Sequence, residues 1–159
     1  MNTPAIHFSA LQRAHWQPED TQKARLVVEF VQLIMNNHDF EEIRRRQQGY
    51  PYKQHNRTIE DGIEGVIQTV SRLVKNSPEF SYDVKSIFVD GDHVILHSHA
   101  TLKSDHRGNE RQGMNIIDTW RIEDGHLVEH WDAVEGISLF MRAYGLLTGG
   151  NVRNQNGIF

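Results

Sequence analysis

The sequence predicts an α+β fold: N-terminal helices packed on a curved antiparallel sheet, together forming a cone. Three observations predict it. Apolar residues recur at three- and four-residue spacing between positions 27 and 74, then at every second position from 80 onward. Helices come first and a meander of at least four long strands follows, so the elements are segregated and not alternated as in βαβ units. Two short turns, Asp90-Gly91-Asp92 and Glu123-Asp124-Gly125, join strands into hairpins, where glycine supplies the positive φ. A sheet that curls around helices encloses a space with an open end, and small ligands bind in such concave spaces.

The chain has 159 residues and no cysteine, which suits one domain with one core. Residues 1–20 read as an N-terminal arm, 21–147 as the domain and 148–159 as a C-terminal tail. The net charge of −4 provides no basic footprint for nucleic acid. Without cysteine there is no disulfide framework, thiolate nucleophile or cysteine-based zinc site. No apolar run approaches the roughly 18 residues of a membrane span, and residues 1–20 lack the core of a signal peptide, so cytoplasm is the expected compartment. Ten histidines stand out, because imidazole titrates near neutral pH and ligates metals.

Phe8, Leu11 and Trp16 read either as anchors of an arm on the body or a second subunit, or as part of a loose terminus. Thr21 is the expected cap of the first long helix, whose apolar face is Val27, Phe30, Val31, Ile34 and Met35. Asn36-Asn37-His38-Asp39 ends it and starts a short helix with Phe40 and Ile43 inward. Arg44-Arg45-Arg46 reads as a solvated face in preference to an anion site. The segment 49–56 is irregular, and it crowds hydrogen-bonding side chains at Tyr52, Gln54, His55 and Asn56. These either satisfy their own loop or face a ligand. Glu60-Asp61-Gly62 opens a helix with Ile63, Val66, Ile67, Val70, Leu73 and Val74 as its stripe, and Asn76-Ser77-Pro78 stops it.

Phe80, Tyr82 and Val84 alternate before Ile87 and Val89 take the opposite parity, which calls for a bulge near Lys85-Ser86. In the next strand Ile95, His97, His99 and Thr101 share one face, with Val94, Leu96 and Ser98 on the other. Strands across 115–134 follow. Asp118 and Trp120 share a face of the first, His130 and Asp132 a face of the second, and Glu129 and Trp131 point the other way. These four inward residues are expected around one pocket, with His97 and His99 as further groups able to reach it. Trp131 and Glu129 mark an outer surface expected to form a homodimer. Leu139, Phe140, Ala143 and Leu147 permit a short helix, residues 149–156 read as a mobile polar tail, and Ile158 and Phe159 are left to dock.

Four segments carry a family resemblance. They are Tyr52-Lys53-Gln54-His55-Asn56 with Asp61-Gly62; Asp90-Gly91-Asp92-His93-Val94; His97-Ser98-His99; and Ile117-Asp118-Thr119-Trp120-Arg121-Ile122-Glu123-Asp124-Gly125-His126-Leu127-Val128-Glu129-His130-Trp131-Asp132. In these, over about residues 22–138, the chain resembles the SnoaL-like polyketide cyclases of the nuclear transport factor 2-like superfamily. Two positions depart from the pattern: Arg57 stands where many relatives have proline, and Trp120 where phenylalanine is usual. The resemblance implies an α+β cone, a homodimer through the outer sheet face, and a pocket that needs neither metal nor organic cofactor. It also implies intramolecular aldol ring closure, with a small hydrophobic carbonyl compound as ligand.

That chemistry takes a proton from a carbon beside a carbonyl and returns one to an alkoxide. A carboxylate does both when a dry surrounding raises its pKa. The resemblance places this aspartate at Asp132. His55 is expected to hydrogen-bond Asp132 or the substrate carbonyl, and Asp118 to be a second carboxyl, so that one of the two stays protonated as a donor. Tyr52, Asn56, His97, His99, Trp120 and His130 are the expected substrate contacts. His55, His99 and Asp118 would suit a divalent metal if they converged, but no metal is expected. The alternatives are a non-catalytic ligand-binding module, or hydrolase or dehydratase chemistry in the same pocket, since one fold of this kind hosts many functions.

Overall fold

The computed structural model describes residues 4–148 and 153–156. The arm holds a single helical turn, α1 (Phe8–Leu11). Ile6, Phe8, Leu11 and Trp16 pack partly buried against the core, so the arm is anchored to its own body. The first long helix, α2 (Pro18–Val31), starts three residues before the expected Thr21. Gln17 and Asp20 form a reciprocal capping box there, and Pro18 follows the cap, where a missing N–H costs nothing. Val27, Phe30, Val31, Ile34 and Met35 are all buried as their spacing predicts.

A π-helical turn (Gln32–Asn37) ends in His38 at φ 56°. The Asp39 side chain then caps α3 (Phe40–Gln47) by accepting from Glu42 N–H. The irregular 49–56 segment includes a two-residue strand, β1 (Lys53–Gln54). Helix α4 (Gly62–Asn76) follows, with Val66, Ile67 and Val70 buried. Gly65 is required because a Cβ there would lie 2.0 Å from Glu60 O, which brings the preceding loop close onto α4.

The four long strands are β2 (Ser81–Asp90), β3 (His93–Thr101), β4 (Met114–Glu123) and β5 (His126–Gly136). They form an antiparallel meander, and β1 joins its edge parallel to β5, giving the order β1-β5-β4-β3-β2. The expected bulge in β2 falls between Val84 and Ser86, and a second register shift lies between Arg121 and Ile122. Asp124 (φ 49°) and Gly125 (φ 77°) make the β4–β5 turn with the paired positive φ of a tight hairpin.

Register sorts every side chain to one of two faces. On the inner face one cross-strand row reads Val89, Val94, Trp120, His130, Gln54, and the next reads Ile87, Leu96, Asp118, Asp132. The outer face carries Phe88, Ile95, Thr119, Trp131 in one row and His97, Ile117, Ala133 in the next. The inner face packs on α2 and α4 to make the core.

The predicted last helix exists as α5 (Leu139–Thr148), but Leu139, Phe140 and Leu147 are exposed and Met141 is the buried member. Residues 153–156 lie against the 54–61 loop and are not a free tail. Ile158 and Phe159 lie outside the described residues. No helix among the described residues is long and apolar enough to cross a membrane.

Candidate functional site

The inner face brings Asp118, Trp120, His130 and Asp132 together, because the β4–β5 register pairs Trp120 with His130 and Asp118 with Asp132. Trp120 is 1% exposed. Its ring meets Phe30 edge-on at 6.1 Å and His130 at 4.8 Å. Its indole N–H donates to Tyr52 Oη at 3.0 Å. The Tyr52 phenol therefore accepts one bond and keeps its own proton to give. Burial drives the Tyr52 pKa upward against the indole bond, and the charges of Asp118 and Asp132 add to the rise, so the phenol stays protonated.

His130 bridges two partners. Its Nδ1 lies 3.1 Å from Gln54 Oε1, and its Nε2 lies 3.1 Å from Asp118 Oδ1. The Gln54 amide orientation is fixed because Oε1 also accepts Asn56 N–H at 2.8 Å. Nδ1 must then be the donor. This turns Nε2 toward a carboxyl oxygen, and one proton lies between them. Asp118 is 2% exposed. Burial pushes its carboxyl above the usual range, the His130 hydrogen bond opposes that, and the Asp132 charge reinforces it. The pair is thus a store for one proton, while Asp118 Oδ2 is buried without a partner.

Asp132 stands beside this pair, partly exposed. Asn56 Nδ2 lies 2.7 and 2.8 Å from its two carboxyl oxygens. Asn56 Oδ1 accepts from Thr58 N–H and Thr58 Oγ–H, which fixes which end of the amide faces Asp132.

Three expected contacts fall elsewhere. His55 does not turn toward Asp132: β1 pairs Lys53 with Glu129 and Gln54 with His130, so His55 takes the outer parity. There its Nε2 donates to Glu129 Oε1 at 2.8 Å and its ring stacks on Trp131 at 4.6 Å. Burial works against the Glu129 charge, yet bonds from His55 and Arg121 and the nearby Lys53 hold its carboxyl below the usual range. His97 and His99 also lie on the outer side, opposite Leu96 and Ser98. His97 Nε2 meets Asn115 Oδ1 at 2.6 Å, and His99 Nε2 meets Gln112 O at 2.7 Å. Both border an outer cavity of about 380 Å³ with Lys85, Glu110 and Glu135. The sheet therefore separates His55 and His99 from Asp118, and that metal set does not form.

Another set does converge. Asp118, His130 and Asp132 each offer a ligand atom, all within 4.8 Å of one another. Such a donor set suits a divalent ion, but the shared proton already accounts for the Asp118–His130 contact. Tyr82 and Ser98 were not among the expected contacts, and Gln54 was read only as one of the crowded loop groups that either satisfy the loop or face a ligand. Gln54 is fully buried and orients His130. Tyr82, also buried, has its phenol pKa raised by burial and then by the charges of Asp118 and Asp132. Ser98 Oγ is buried with no partner. Ser98 was visible as a hydroxyl alternating with Val94 and Leu96, and Gln54 as one of the hydrogen-bonding groups crowded at 52–56, but nothing local aimed Gln54 at His130.

Comparison with solved structures finds the same fold. A candidate polyketide cyclase from Bacillus cereus is 16% identical with TM-score 0.63, covering 95% of this chain and 93% of that one. A candidate SnoaL-like polyketide cyclase from a Jannaschia species is 16% identical with TM-score 0.62, over 87% and 99%. AclR from Streptomyces galilaeus, described as a candidate hydroxylase, is 20% identical with TM-score 0.57, over 86% and 89%. No match was found among curated proteins. The family model of the SnoaL-like polyketide cyclases matches residues 25–141. The chain, with its cone of helices and curved sheet, belongs to the SnoaL-like polyketide cyclase family.

Proposed function

We propose that the protein is a small-molecule enzyme that closes a ring by intramolecular aldol chemistry, with Asp132 as the base. Asp132 takes a proton from a carbon beside a carbonyl. The resulting enolate carbon bonds to a second carbonyl carbon of the same molecule, and the alkoxide formed there takes the proton back from Asp132, which restores its carboxylate. The observation that carries this reading is the side-by-side setting of an oriented, partly exposed carboxylate and a buried pair that stores a proton. Tyr52 and the Asp118–His130 pair are the proposed donors to the developing oxyanion. Trp120 and Ile116 supply apolar surface beside them. The ligand is a small hydrophobic carbonyl compound, no metal or organic cofactor takes part, and the working unit is a homodimer.

The test is turnover of a panel of linear poly-β-keto esters, followed by loss of substrate and appearance of a ring product. A compound turned over by the native chain should lose about 10²–10⁴-fold in rate with Asp132→Asn. Equal turnover by that variant would overturn the mechanism. Binding of the same compounds with no turnover would favour a ligand-binding module.

A further inference from the structure

The C-terminal residues 153–156 lie beyond the segment that matches the family model, yet they contact the loop that holds the site. Arg153 N–H donates to Arg57 O at 2.7 Å. Asn154 Nδ2 donates to Asn56 O at 2.8 Å and to Ile59 O at 2.7 Å. Asn156 Nδ2 donates to Gln54 O and to Asp61 Oδ1, both at 2.8 Å. Asp61 Oδ1 also accepts Gln54 N–H at 2.9 Å, closing a small network. Carbonyls of four residues between 54 and 59 are thus tied to one short piece of chain. Asn154 is 7% exposed, so its two bonds are largely shielded from competing water, while the Asn156–Asp61 bond is exposed.

The same loop makes both polar contacts that orient the inner site. Asn56 reaches Asp132 through its side chain, and Gln54 fixes the ring of His130. Loops that bear such groups move unless their backbone is held. The β1–β5 pairing and the His55 N–H bond to His130 O at 2.9 Å hold the start of this loop, α4 comes close to it where Gly65 meets Glu60, and the C-terminal strap holds carbonyls beyond the strand, at Asn56, Arg57 and Ile59. We infer that Asn154 and Asn156 are positioning residues of the site: the C-terminal strap locks the 54–59 loop so that Asn56 aims Asp132 and Gln54 selects the His130 tautomer. This rests on the assignment of Asp132 and His130 to the site, but not on the reaction they perform.

The strap acts through backbone carbonyls, so it needs amide donors at both positions. Aspartate at 154 has nearly the same shape and no donor for Asn56 O or Ile59 O. It would set a charge against two carbonyls, and it separates hydrogen bonding from simple filling of space.

The experiment is NMR on the full-length, isotope-labelled protein without ligand, comparing the native chain with Asn154→Ala, Asn154→Asp and Asn156→Ala. In the native chain the His130 ring should give one form, protonated at Nδ1, and the Asn56 side-chain amide should exchange slowly with solvent. In each variant the Asn56 amide should exchange faster by about tenfold or more, and the His130 ring nitrogens should shift toward a mixture of tautomers, while Asp118 and Trp120 backbone amides keep their protection. Unchanged Asn56 exchange and an unchanged His130 ring in folded variants would overturn the proposal and leave the strap as an anchor of itself alone. Should the Asn154 variants not fold, Asn156→Ala decides on the same two signals. These readouts need no substrate, so they stand or fall apart from the Asp132→Asn turnover test.

Discussion

Asn56 holds Asp132 by both carboxyl oxygens, at 2.7 and 2.8 Å, across 76 positions of sequence. A carboxylate gripped in this way is fixed in rotation, while the side chain stays partly exposed. Asn56→Ala should free that rotation and lower turnover of an identified substrate by about 10- to 100-fold, as lost orientation does. The melting temperature should fall by several degrees, since the Asp132 contacts and the two Thr58 bonds to Asn56 Oδ1 are lost together. Steady-state kinetics with a thermal melt would check both parts.

Asp118 makes a pH prediction. Its carboxyl is raised in the folded chain, chiefly by burial, so the folded state binds the proton more tightly than the unfolded state. The stability this confers is complete below the ordinary aspartate range and is lost as pH rises through the raised value. The native melting temperature should therefore fall across that interval. Asp118→Asn, which keeps a donor toward His130 Nε2, should flatten the fall. Calorimetry across pH would show it, and an equal slope in the variant would assign the titration to another group.

Trp120→Phe tests the indole bond to Tyr52. Phenylalanine keeps most of the packing against Phe30 and His130 but removes the donor and leaves a small void. A stability loss of about 1–3 kcal/mol is expected from chemical denaturation. Wider acceptance of bulkier ligands should accompany it, because phenylalanine is the smaller side chain.

The outer face gives a prediction about assembly. Phe88 is 53% exposed and Ile117 is 37% exposed, beside Ile95 and Trp131 in the same two rows. Apolar side chains contributed by four strands, interrupted by Thr119, are costly to leave wet. The chain should be a dimer at micromolar concentration by size exclusion with light scattering, and Phe88→Asp with Ile117→Asp should convert it to a monomer that keeps its fold. A native monomer would remove the homodimer from the proposed function.

A metal prediction separates the proton from an ion at Asp118, His130 and Asp132. With one proton between Asp118 and His130, neither chelator treatment nor added Mn²⁺ or Zn²⁺ should change the melting temperature or turnover. A ligand present at 100 times its dissociation constant would add about 2.7 kcal/mol, which a melt resolves easily.

Local periodicity made much of this site readable. Asp118 and Trp120 lie two apart, as do His130 and Asp132, so each pair had to share a face once the strands were placed. The turn at Glu123-Asp124-Gly125 put those strands side by side. His97 and His99 also obeyed parity, and the apolar Val94 and Leu96, at positions of the opposite parity, already claimed the inner side. Placing these histidines inward gave chemical character more weight than alternation. His55 was different: its direction depends on β1 adding in parallel to β5, a pairing between residues more than 70 apart that no local pattern encodes.

Other features had an ambiguous local signal. Gln54 was legible as one of the hydrogen-bonding groups of its loop, but its pairing with His130 was not. Thr21 looked like the helix cap because Ser, Thr, Asp and Asn favour that role, but the reciprocal Gln17–Asp20 pair with Pro18 won by satisfying more of the free N–H groups.

The sequence by itself determined the order of elements, the hairpin turns and which residues of one strand look the same way, because these follow from bond geometry and burial repeated over a few residues. The tertiary structure alone decided which rows of side chains meet. It set Asn56 against Asp132, sent His55 to the outer face, and strapped residues 153–156 across the 54–59 loop. These contacts join distant stretches of chain, and they form only when the whole sheet has fixed its register and the core has closed behind it.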